Sequence, residues 1–388
     1  MGQLSRSQTG IFDTDVAVIG SGFGGSVAAH RLTEKGYTVT VFEKGKRWRP
    51  EDFPETNWNI RKSFWFPKIG CRGIFAMRLL REALVLHGVG VGGGSLVYAN
   101  TLFEPPDAVW DDPQWKGLED WRAVMPEHYD TARRMLGVVE NPKLGPADEA
   151  LRRAAARRGK AETFRHTPVG IYFGDPDVTV SDPYFEGEGP DRTGCTFCGG
   201  CMVGCRPGAK NTLDKNYLYL AEKSGAQIRP DTLVTLVEAL QGGGYRLSWR
   251  RSKGLFTSEH GTTTARSVVF SGGVLGTVRL LMECKERGSL PHLSDQIGNV
   301  VRTNSEALLG VNSKSRKDLW EGVAIAAKVE IDEQTHFECV RVSKGSDVML
   351  LLGTPLTDGG KGLPRPVKWL GNILRHPIDF LRIIKPCG

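Results

Sequence analysis

Long hydrophobic runs are missing from this sequence: no stretch approaches the roughly 18 consecutive apolar residues that an ordinary transmembrane helix requires. The opening residues, MGQLSRSQTG, are polar and contain no apolar segment of the kind found in a secretory signal peptide. No stripe of basic residues interleaved with aromatic residues is present, so the net charge of +7 gives no indication of nucleic-acid binding. We therefore expect a cytoplasmic protein that has no signal peptide and no nucleic-acid partner.

Evenly spaced cysteines are also missing, which argues against a secreted disulfide framework and favours a reducing compartment. Four of the eight cysteines instead fall between residues 195 and 205. The hydrophobic fraction of 40% and the charged fraction of 24% are typical of an ordinary globular protein. A chain of 388 residues with this composition can bury a substantial core, and it predicts two domains.

What the sequence does contain begins with a strand–glycine–helix–strand pattern near its N-terminus. The apolar run of residues 16–19 leads into G-x-G-x-x-G, which consists of Gly20, Gly22 and Gly25. In a dinucleotide-binding unit these glycines allow a tight turn, close approach of the backbone to a pyrophosphate, and close packing of the helix on the strand. A second apolar strand is followed by Glu43, whose carboxylate can accept hydrogen bonds from ribose hydroxyls. This pattern predicts that phosphates bind at the N-terminus of the helix.

Two further glycine-rich segments lie far from the first one. Residues 87–100, HGVGVGGGSLVYAN, carry apolar and aromatic residues that a flexible linker would lack, which favours a loop that faces a ligand. Residues 267–277, SVVFSGGVLGT, form a second buried strand that enters a glycine turn before a helix. This spacing predicts a nucleotide domain that is assembled from separated segments, with a second domain inserted between them.

The clustered cysteines have the spacing C-x2-C-x2-C-x3-C. They are Cys195, Cys198, Cys201 and Cys205, and we call them the motif cysteines. This spacing matches the cysteine run of bacterial ferredoxins and predicts an iron–sulfur or zinc site. However, the sequence has no second run, whereas in two-cluster ferredoxins the fourth cysteine serves the other cluster. A reduced or partly disulfide-paired loop without metal is the alternative interpretation.

The tail, residues 369–384, combines apolar and basic residues. Pro377 is expected to break or kink any helix there. Such a segment either packs into a core or lies on a membrane surface, where its basic side chains contact anionic headgroups. Peripheral membrane contact is therefore one expectation for this chain.

Four segments together resemble the glucose–methanol–choline (GMC) family of flavin oxidoreductases, specifically its cholesterol-oxidase-like branch. In chain order they read VIGSGFGGSVAAHRL, HGVGVGGGSLVYAN, CRPGAKNTLDKNYL and VVFSGGVLGTVRLL. The resemblance implies an α/β fold, with a Rossmann-like FAD-binding domain built from discontinuous segments and an inserted α+β substrate-binding domain. Residues 1–105 and 206–303 would form the FAD-binding domain. Residues 106–205 would be an inserted helical and loop region of the substrate domain, and residues 304–388 its truncated remainder.

The implied cofactor is FAD. Its ADP half would be held by Gly20, Ser21, Gly22, Gly25 and Glu43. Backbone N–H groups that face the pyrophosphate and the flavin would come from Gly92, Gly93, Gly94 and Ser95. Asn100 would lie near the reactive edge of the flavin ring, and Val234 would hold the adenine side through its backbone. Ser271 and Gly272 would lie near the adenosine.

The implied reaction is the oxidation of an alcohol, whose C–H bond delivers hydride to flavin N5 while a base takes the hydroxyl proton. The implied substrate is a hydrophobic alcohol such as a sterol with a 3-hydroxyl group. Glu338 matches the position of an acidic residue that moves a proton within a steroid ring, so isomerisation is also implied. A carboxylate among apolar neighbours would have a raised pKa, whereas a solvated strand glutamate is the alternative.

The family's catalytic histidine lies in a C-terminal segment that has no counterpart in this sequence. We therefore expect a truncated form that is weakly active or inactive, or one that a companion chain completes. Two other functions remain open from the sequence. The first is an electron-transfer protein in which a flavin passes electrons to an iron–sulfur cluster at the motif cysteines, and the second is a nucleotide-binding remnant without catalysis.

Overall fold

The computed structural model describes residues 12–80, 83–252, 257–302, 304, 306–311, 313, 318–352, 356–357 and 362–378. Its helices are α1 (Phe23–Glu34), α2 (Ile60–Ser63), α3 (Trp121–Met135), α4 (Pro146–Arg157), α5 (Tyr217–Lys223), α6 (Gly273–Glu286) and α7 (Arg365–Arg375). Its strands are β1 (Thr14–Ile19), β2 (Val39–Phe42), β3 (Trp65–Phe66), β4 (Cys71–Arg72), β5 (Phe75–Leu79), β6 (Leu84–Gly88), β7 (Val138–Glu140), β8 (Arg165–His166), β9 (Pro168–Gly170), β10 (Thr179–Val180), β11 (Arg192–Thr193), β12 (Gln227–Arg229), β13 (Thr232–Ala239), β14 (Tyr245–Ser252), β15 (Ser258–Phe270), β16 (Ile325–Glu330) and β17 (His336–Val340).

The largest sheet has the strand order β12-β2-β1-β15-β14-β13. β12, β2, β1 and β15 run parallel to one another, and β14 and β13 extend the sheet in antiparallel fashion. β1 and β2, from the start of the chain, therefore pair with β15 and β12, which lie in its second half. This is the discontinuous α/β arrangement that the separated glycine segments predicted.

Helices cover both faces of this sheet because side chains along a strand alternate between the two faces. On β1, Val16 and Val18 belong to an apolar cluster with residues of α1 and α5. Ala17 and Ile19 point the other way, into a cluster with residues of α6, β13 and β14. Burial on both faces explains why β1 is a continuous apolar run in the sequence.

A smaller sheet with the order β17-β16-β8 lies in the remaining part of the chain. Helix α4 contacts both β16 and β17. The Arg341 guanidinium, just beyond β17, forms an ion pair with Asp148 of α4, and the two side chains are 3% and 0% exposed. This buried pair joins the helix to the sheet.

Residues 46–87 show no sustained periodicity in the sequence, yet they contain regular structure. They form α2 and the two-stranded sheets β3–β4 and β5–β6. Phe64 and Phe75 pack in a buried cluster with Trp48 and Ile74. These strands have only two to five residues each, which is too short for an alternation to stand out in a sequence.

The tail forms helix α7, which ends before Pro377 as the sequence predicted. None of its residues is buried, and Leu370 and Leu374 are 53% and 73% exposed. The core-packing alternative, made for residues 369–384, is therefore wrong for residues 369–375. Residues 379–384 of the predicted tail lie outside the described residues. No helix in the described part of the chain is long and apolar enough to cross a membrane.

Candidate active site

The first glycine turn lies at the carboxyl end of β1 and is shaped by close backbone contacts. Gly20 has a φ of +101°, and a Cβ there would lie 2.3 Å from the Ser271 carbonyl oxygen. A Cβ on Gly25 would lie 1.9 Å from the Gly20 carbonyl oxygen. Glycine is therefore required at both positions, for the turn and for the packing of α1, as the motif predicted.

Gly22 differs from these two glycines because it faces open space: a Cβ there would meet no atom within 4 Å. It is the N-cap of α1, and no side chain caps this end of the helix. The first turn of a helix has N–H groups without internal partners, and the helix dipole favours an anion beside them. The geometry around Gly22 therefore suits a phosphate group.

The second glycine segment packs directly onto the first. A Cβ on Gly93 would lie 2.6 Å from the Gly22 Cα, and the Gly92 N–H donates to the Ser21 hydroxyl over 3.1 Å. The Ser21 hydroxyl in turn donates to the Glu43 carboxylate over 2.8 Å. Glu43, Ser21 and Gly92 thus form a hydrogen-bonded chain that joins two segments separated by some 70 residues.

Glu43 is buried behind the turn, and its carboxylate already has protein donors. Oε2 accepts from the Ser21 N–H and Oγ–H, and Oε1 accepts from the Gly45 N–H over 2.8 Å. Burial raises the pKa of Glu43, whereas the hydrogen bonds from Gly45 and Ser21 act to lower it. The carboxylate thus holds the turn in place, and its contact with a ribose stays a prediction.

Only part of the second segment can offer N–H groups to a ligand. The N–H groups of Gly93 and Ser95 donate to the carbonyls of Gly90 and Gly92, and the Gly92 N–H is engaged by Ser21. The prediction that Gly92, Gly93, Gly94 and Ser95 all offer N–H groups to the cofactor is therefore wrong for Gly92, Gly93 and Ser95. Among the described residues, nothing accepts a hydrogen bond from the Gly94 N–H. The Ser95 hydroxyl is likewise used, between the Gly92 carbonyl and the Leu213 N–H.

The third glycine-rich segment, residues 267–277, contacts the first glycine turn at the edge of the sheet where β1 ends. The Ser271 N–H donates to the Ile19 carbonyl over 2.8 Å, and Gly272 caps the start of α6 at an exposed position. The structure thus brings three of the predicted cofactor segments together. Val234 lies on β13 with its side chain in the same apolar cluster as Ile19 and Phe42, and the N–H of Thr232 at the start of that strand donates to the Glu43 carbonyl over 2.7 Å.

Asn100 follows the second segment and is 1% exposed, with an uncommon φ of +70°. Its amide nitrogen and carbonyl oxygen have no nitrogen or oxygen partner among the described residues, and the Cys201 thiol lies within hydrogen-bond reach of the carboxamide. A thiol is a weak hydrogen-bonding group, so the buried carboxamide keeps the capacity to bind a further polar group. This carboxamide and the open backbone at Gly22 and Gly94 offer polar groups of the kind that a flavin dinucleotide contacts, so these residues fit FAD.

Glu338 lies on β17, and its side chain is 17% exposed. Its Oε1 lies 3.3 Å from His336 Nε2, and Lys328 is its neighbour across the strand pair. Burial raises the pKa of Glu338; His336 acts to lower it and Glu306 to raise it. The His336 ring contacts Phe103, which follows Asn100 by three residues and so lies within about 10 Å of it. Glu338 is therefore linked to the segment that follows Asn100 through His336 and Phe103, and its place beside the flavin stays a prediction.

Lys210 is a buried residue that the sequence analysis did not single out. Its ammonium donates to the carbonyls of Leu96, Tyr98 and Cys201 over 2.8–3.1 Å. Burial lowers the pKa of Lys210 to about 7. It ties the second glycine segment to the cysteine segment. The feature of the sequence that could have pointed to Lys210 is a lysine that follows glycine and alanine in GAKNTLD.

The motif cysteines all line one small cavity of about 10 Å³. They are free thiols, and only Cys198 is not fully buried. Within the described ranges, no three His, Cys, Asp or Glu side chains are placed to hold a single metal ion. The zinc interpretation of the motif therefore finds no support in the geometry.

Comparisons with known proteins identify relatives of this chain. Residues 18–49 match the family model of the NAD(P)-binding Rossmann-like domain. A cholesterol oxidase of Acinetobacter baumannii is 46% identical over 385 residues, which are 97% of this chain and 69% of that protein. A cholesterol oxidase of Mycobacterium tuberculosis is 46% identical over 96% of this chain and 67% of its own length. An FAD-dependent oxidoreductase from Chaetomium thermophilum superposes with a TM-score of 0.46 at 17% identity, covering 69% of this chain and 47% of that one.

The Rossmann-like dinucleotide fold, together with the 46% identity to cholesterol oxidases, places the chain in the class of flavin-dependent oxidoreductases that act on alcohol groups. The chain belongs to the GMC family, in its cholesterol-oxidase-like branch. Its cofactor is FAD.

Proposed function

We propose that this protein oxidises the hydroxyl group of a hydrophobic, sterol-like alcohol. The observation that carries the proposal is that the second glycine segment packs on the open N-terminus of α1 at Gly22, leaves the Gly94 N–H unused and ends in the buried Asn100. The 46% identity with cholesterol oxidases supports a sterol as the substrate. When bound, FAD supplies the hydride acceptor for the alcohol carbon.

In this proposal the chain's own groups bind and orient the cofactor. The N-terminus of α1 at Gly22 and the Gly94 N–H hold anionic and carbonyl oxygens of the dinucleotide. The Asn100 carboxamide, which has two donors and an acceptor, orients the ring beside it. Lys210 holds the part of the second glycine segment between Gly94 and Asn100 in place by donating to the Leu96 and Tyr98 carbonyls.

Glu338 is proposed to hold or move a proton of the substrate. Burial raises the pKa of Glu338, so its carboxyl holds a proton more readily than a solvated one and can accept and return it, which isomerisation of a steroid double bond requires. His336 and Lys328 face it and would stabilise its ionised form.

The first experiment titrates the protein with FAD and then mixes the complex with a 3-hydroxysterol without oxygen. We expect FAD to bind and its visible absorption to bleach. Binding without bleaching would favour the nucleotide-binding remnant, and a failure to bind FAD would contradict the proposal altogether. Faster bleaching after adding the C-terminal third of a full-length relative would support completion by a companion chain.

Gly22→Ala tests the phosphate site. The added methyl group meets no protein atom, so we expect an unchanged melting temperature but FAD affinity at least about tenfold weaker, since the methyl group occupies the space of the phosphate. Gly24→Ala is the matched control, because its Cβ would lie an ordinary 3.6 Å from Ser271 Oγ. Equal FAD affinities for the two variants would contradict a phosphate at Gly22.

Glu338→Gln tests the proton carrier. The amide is neutral and nearly isosteric, so FAD binding and hydride transfer should stay within about threefold, whereas isomerisation of a 3-keto-5-ene steroid should fall at least about a hundredfold. Isomerisation is followed by the absorbance of the conjugated enone. Glu330→Gln, an exposed carboxylate on β16, is the control. Unchanged isomerisation in Glu338→Gln would remove this residue from the mechanism.

A further inference from the structure

Helix α7 has an apolar face that the described part of the chain leaves largely uncovered. Val367, Leu370 and Leu374 follow one another at intervals of three and four residues, which places them on one side of the helix. Their exposed fractions are 49%, 53% and 73%. Single apolar residues are ordinary on a protein surface, but three at helical spacing form a continuous stripe. This stripe is therefore available to a partner.

The opposite side of α7 is basic. Arg365, Lys368 and Arg375 are separated by three and seven residues, so they share a face that is turned away from the leucines. Residues 362–378 include no aspartate or glutamate, so no acidic side chain of this segment offsets their charge. The segment thus combines an apolar stripe with a stripe of positive charge, which is complementary to a surface that is apolar inside and anionic outside.

Exposed apolar side chains continue beyond the helix itself. Leu363 precedes α7 and Ile378 follows it, and each is 64% exposed. Leu356, which is 84% exposed, is the neighbour of Thr357, whose hydroxyl accepts from the Asn372 Nδ2 of α7 over 3.4 Å. The apolar surface therefore extends past both ends of the helix and along one side of it.

A lipid bilayer is the partner that suits this combination. Amphipathic helices with basic residues on the polar face lie in the plane of the bilayer surface, with leucines among the acyl chains and arginines at the headgroups. Trp369, which is partly exposed, is a residue type enriched at that boundary. The eleven residues of α7 span about 16 Å, which is too short to cross a hydrocarbon core of about 30 Å, so the helix can only lie along the surface.

We propose that α7 binds the surface of an anionic lipid bilayer. Val367, Leu370 and Leu374 enter the boundary of the acyl region, and Arg365 and Arg375 contact the anionic headgroups. A bilayer is also where a sterol-like alcohol dissolves, so this contact brings the protein to its substrate. That last link rests on the proposed function, whereas the membrane contact itself rests on α7 alone.

The test is flotation of the full chain, with FAD bound, on vesicles that contain no sterol. Vesicles of equal parts phosphatidylcholine and phosphatidylserine, the mixed vesicles, should carry the protein upward. Binding should be at least about tenfold weaker on phosphatidylcholine alone, and about 1 M sodium chloride should weaken it on the mixed vesicles. FAD absorbance in the same samples reports the proposed function separately, so loss of the cofactor and loss of membrane binding are distinguishable.

Leu370→Gln combined with Leu374→Gln tests the apolar stripe. Both side chains are exposed, so we expect an unchanged melting temperature and binding to the mixed vesicles at least about tenfold weaker. The matched control combines Leu79→Gln with Leu118→Gln, whose side chains are 83% and 70% exposed on other elements. This control should bind the mixed vesicles as wild type does.

Arg365→Gln combined with Arg375→Gln tests the basic stripe. Each arginine near an anionic surface contributes about fivefold to binding, so affinity for the mixed vesicles should fall at least about tenfold and depend less on salt. Arg153→Gln combined with Arg157→Gln removes the same charge from exposed positions of α4 and is the control. Equal losses in the two variants would show a general effect of net charge and overturn the role of α7.

Trp369 reports where the helix lies. In mixed vesicles whose acyl chains carry bromine, which quenches tryptophan on contact, quenching should be smaller in Trp369→Phe than in wild type. Equal quenching would overturn the placement of α7, and so would a wild-type chain that does not float. A dimer that Leu370→Gln with Leu374→Gln dissociates, with flotation unchanged, would assign the stripe to a second copy of the chain and would likewise overturn the proposal.

Discussion

Ser21 illustrates at the scale of single residues how one hydroxyl can organise a binding site. It donates to Glu43 and accepts from the Gly92 N–H, so two glycine segments share one buried hydrogen-bonded chain. Inside a protein such chains are stronger than exposed hydrogen bonds, and leaving one member unpaired costs about 1–3 kcal/mol. The shape of the cofactor cleft therefore depends on a carboxylate that is itself hidden from solvent.

Glu43→Gln tests this dependence through pH. Because burial raises the pKa of Glu43 above its ordinary 4.5, the folded state holds this proton more tightly than the unfolded chain does. Its contribution to stability is therefore full below the ordinary pKa and declines as the pH rises through the folded pKa. The free energy of unfolding in urea, measured from about pH 4 to about pH 8, should decline less in Glu43→Gln than in wild type.

The control for this prediction is Glu222→Gln, which removes a surface carboxylate paired with Arg47. It should keep the wild-type pH profile, with a change in stability below about 1 kcal/mol. A decline in Glu43→Gln as steep as in wild type would show that Glu43 does not carry the pH dependence.

At the scale of secondary-structure elements, α1 and α6 begin in similar glycine turns but are packed differently. In α1, Gly25 touches the Gly20 carbonyl and allows the helix to approach β1. In α6, a Cβ on Gly276 would meet no atom within 4 Å. The two helices leave the same edge of the sheet and both pack on it, but of these two glycines only Gly25 is in close backbone contact with the turn before its helix.

Gly25→Ala should therefore lower the free energy of unfolding by about 1–3 kcal/mol or more, because the methyl group forces α1 away from β1. Gly276→Ala is the matched change in α6, and it should be neutral or stabilising by up to about 1 kcal/mol, since alanine favours a helix. Thermal melting followed by circular dichroism measures both. A stable Gly25→Ala variant would contradict the close packing of α1.

For the molecule as a whole, the six-stranded sheet and the β17-β16-β8 sheet are stabilised by different means. The first is held by apolar clusters on both faces. The second is joined to α4 by the Asp148–Arg341 pair, in which Asp148 also accepts from the Gly145 N–H. Removing one partner of a buried pair leaves an uncompensated charge.

Asp148→Asn should consequently destabilise the protein by about 3–5 kcal/mol, because Arg341 is left buried without its counter-ion. Glu149→Gln removes an exposed pair with Arg152 on the same helix and should cost less than about 1 kcal/mol. Equal effects of the two substitutions on urea unfolding would contradict a structural role for the buried pair.

The sequence by itself determined the nucleotide-binding unit, the discontinuous sheet and the helix boundary before Pro377. These features depend on interactions between near neighbours: glycine conformations, alternation along a strand, and the missing N–H of proline. The motif cysteines were visible for the same reason, since their spacing is local.

Tertiary structure alone decided which backbone N–H groups of the second glycine segment remain available to a ligand. The N–H groups of Gly92, Gly93 and Ser95 are consumed within their own loop and by Ser21, whereas that of Gly94 is not. Two of the three carbonyls that Lys210 binds, those of Leu96 and Tyr98, also come from a distant segment. Hydrogen bonds between residues far apart in the chain depend on how the elements pack, and no local pattern encodes that packing.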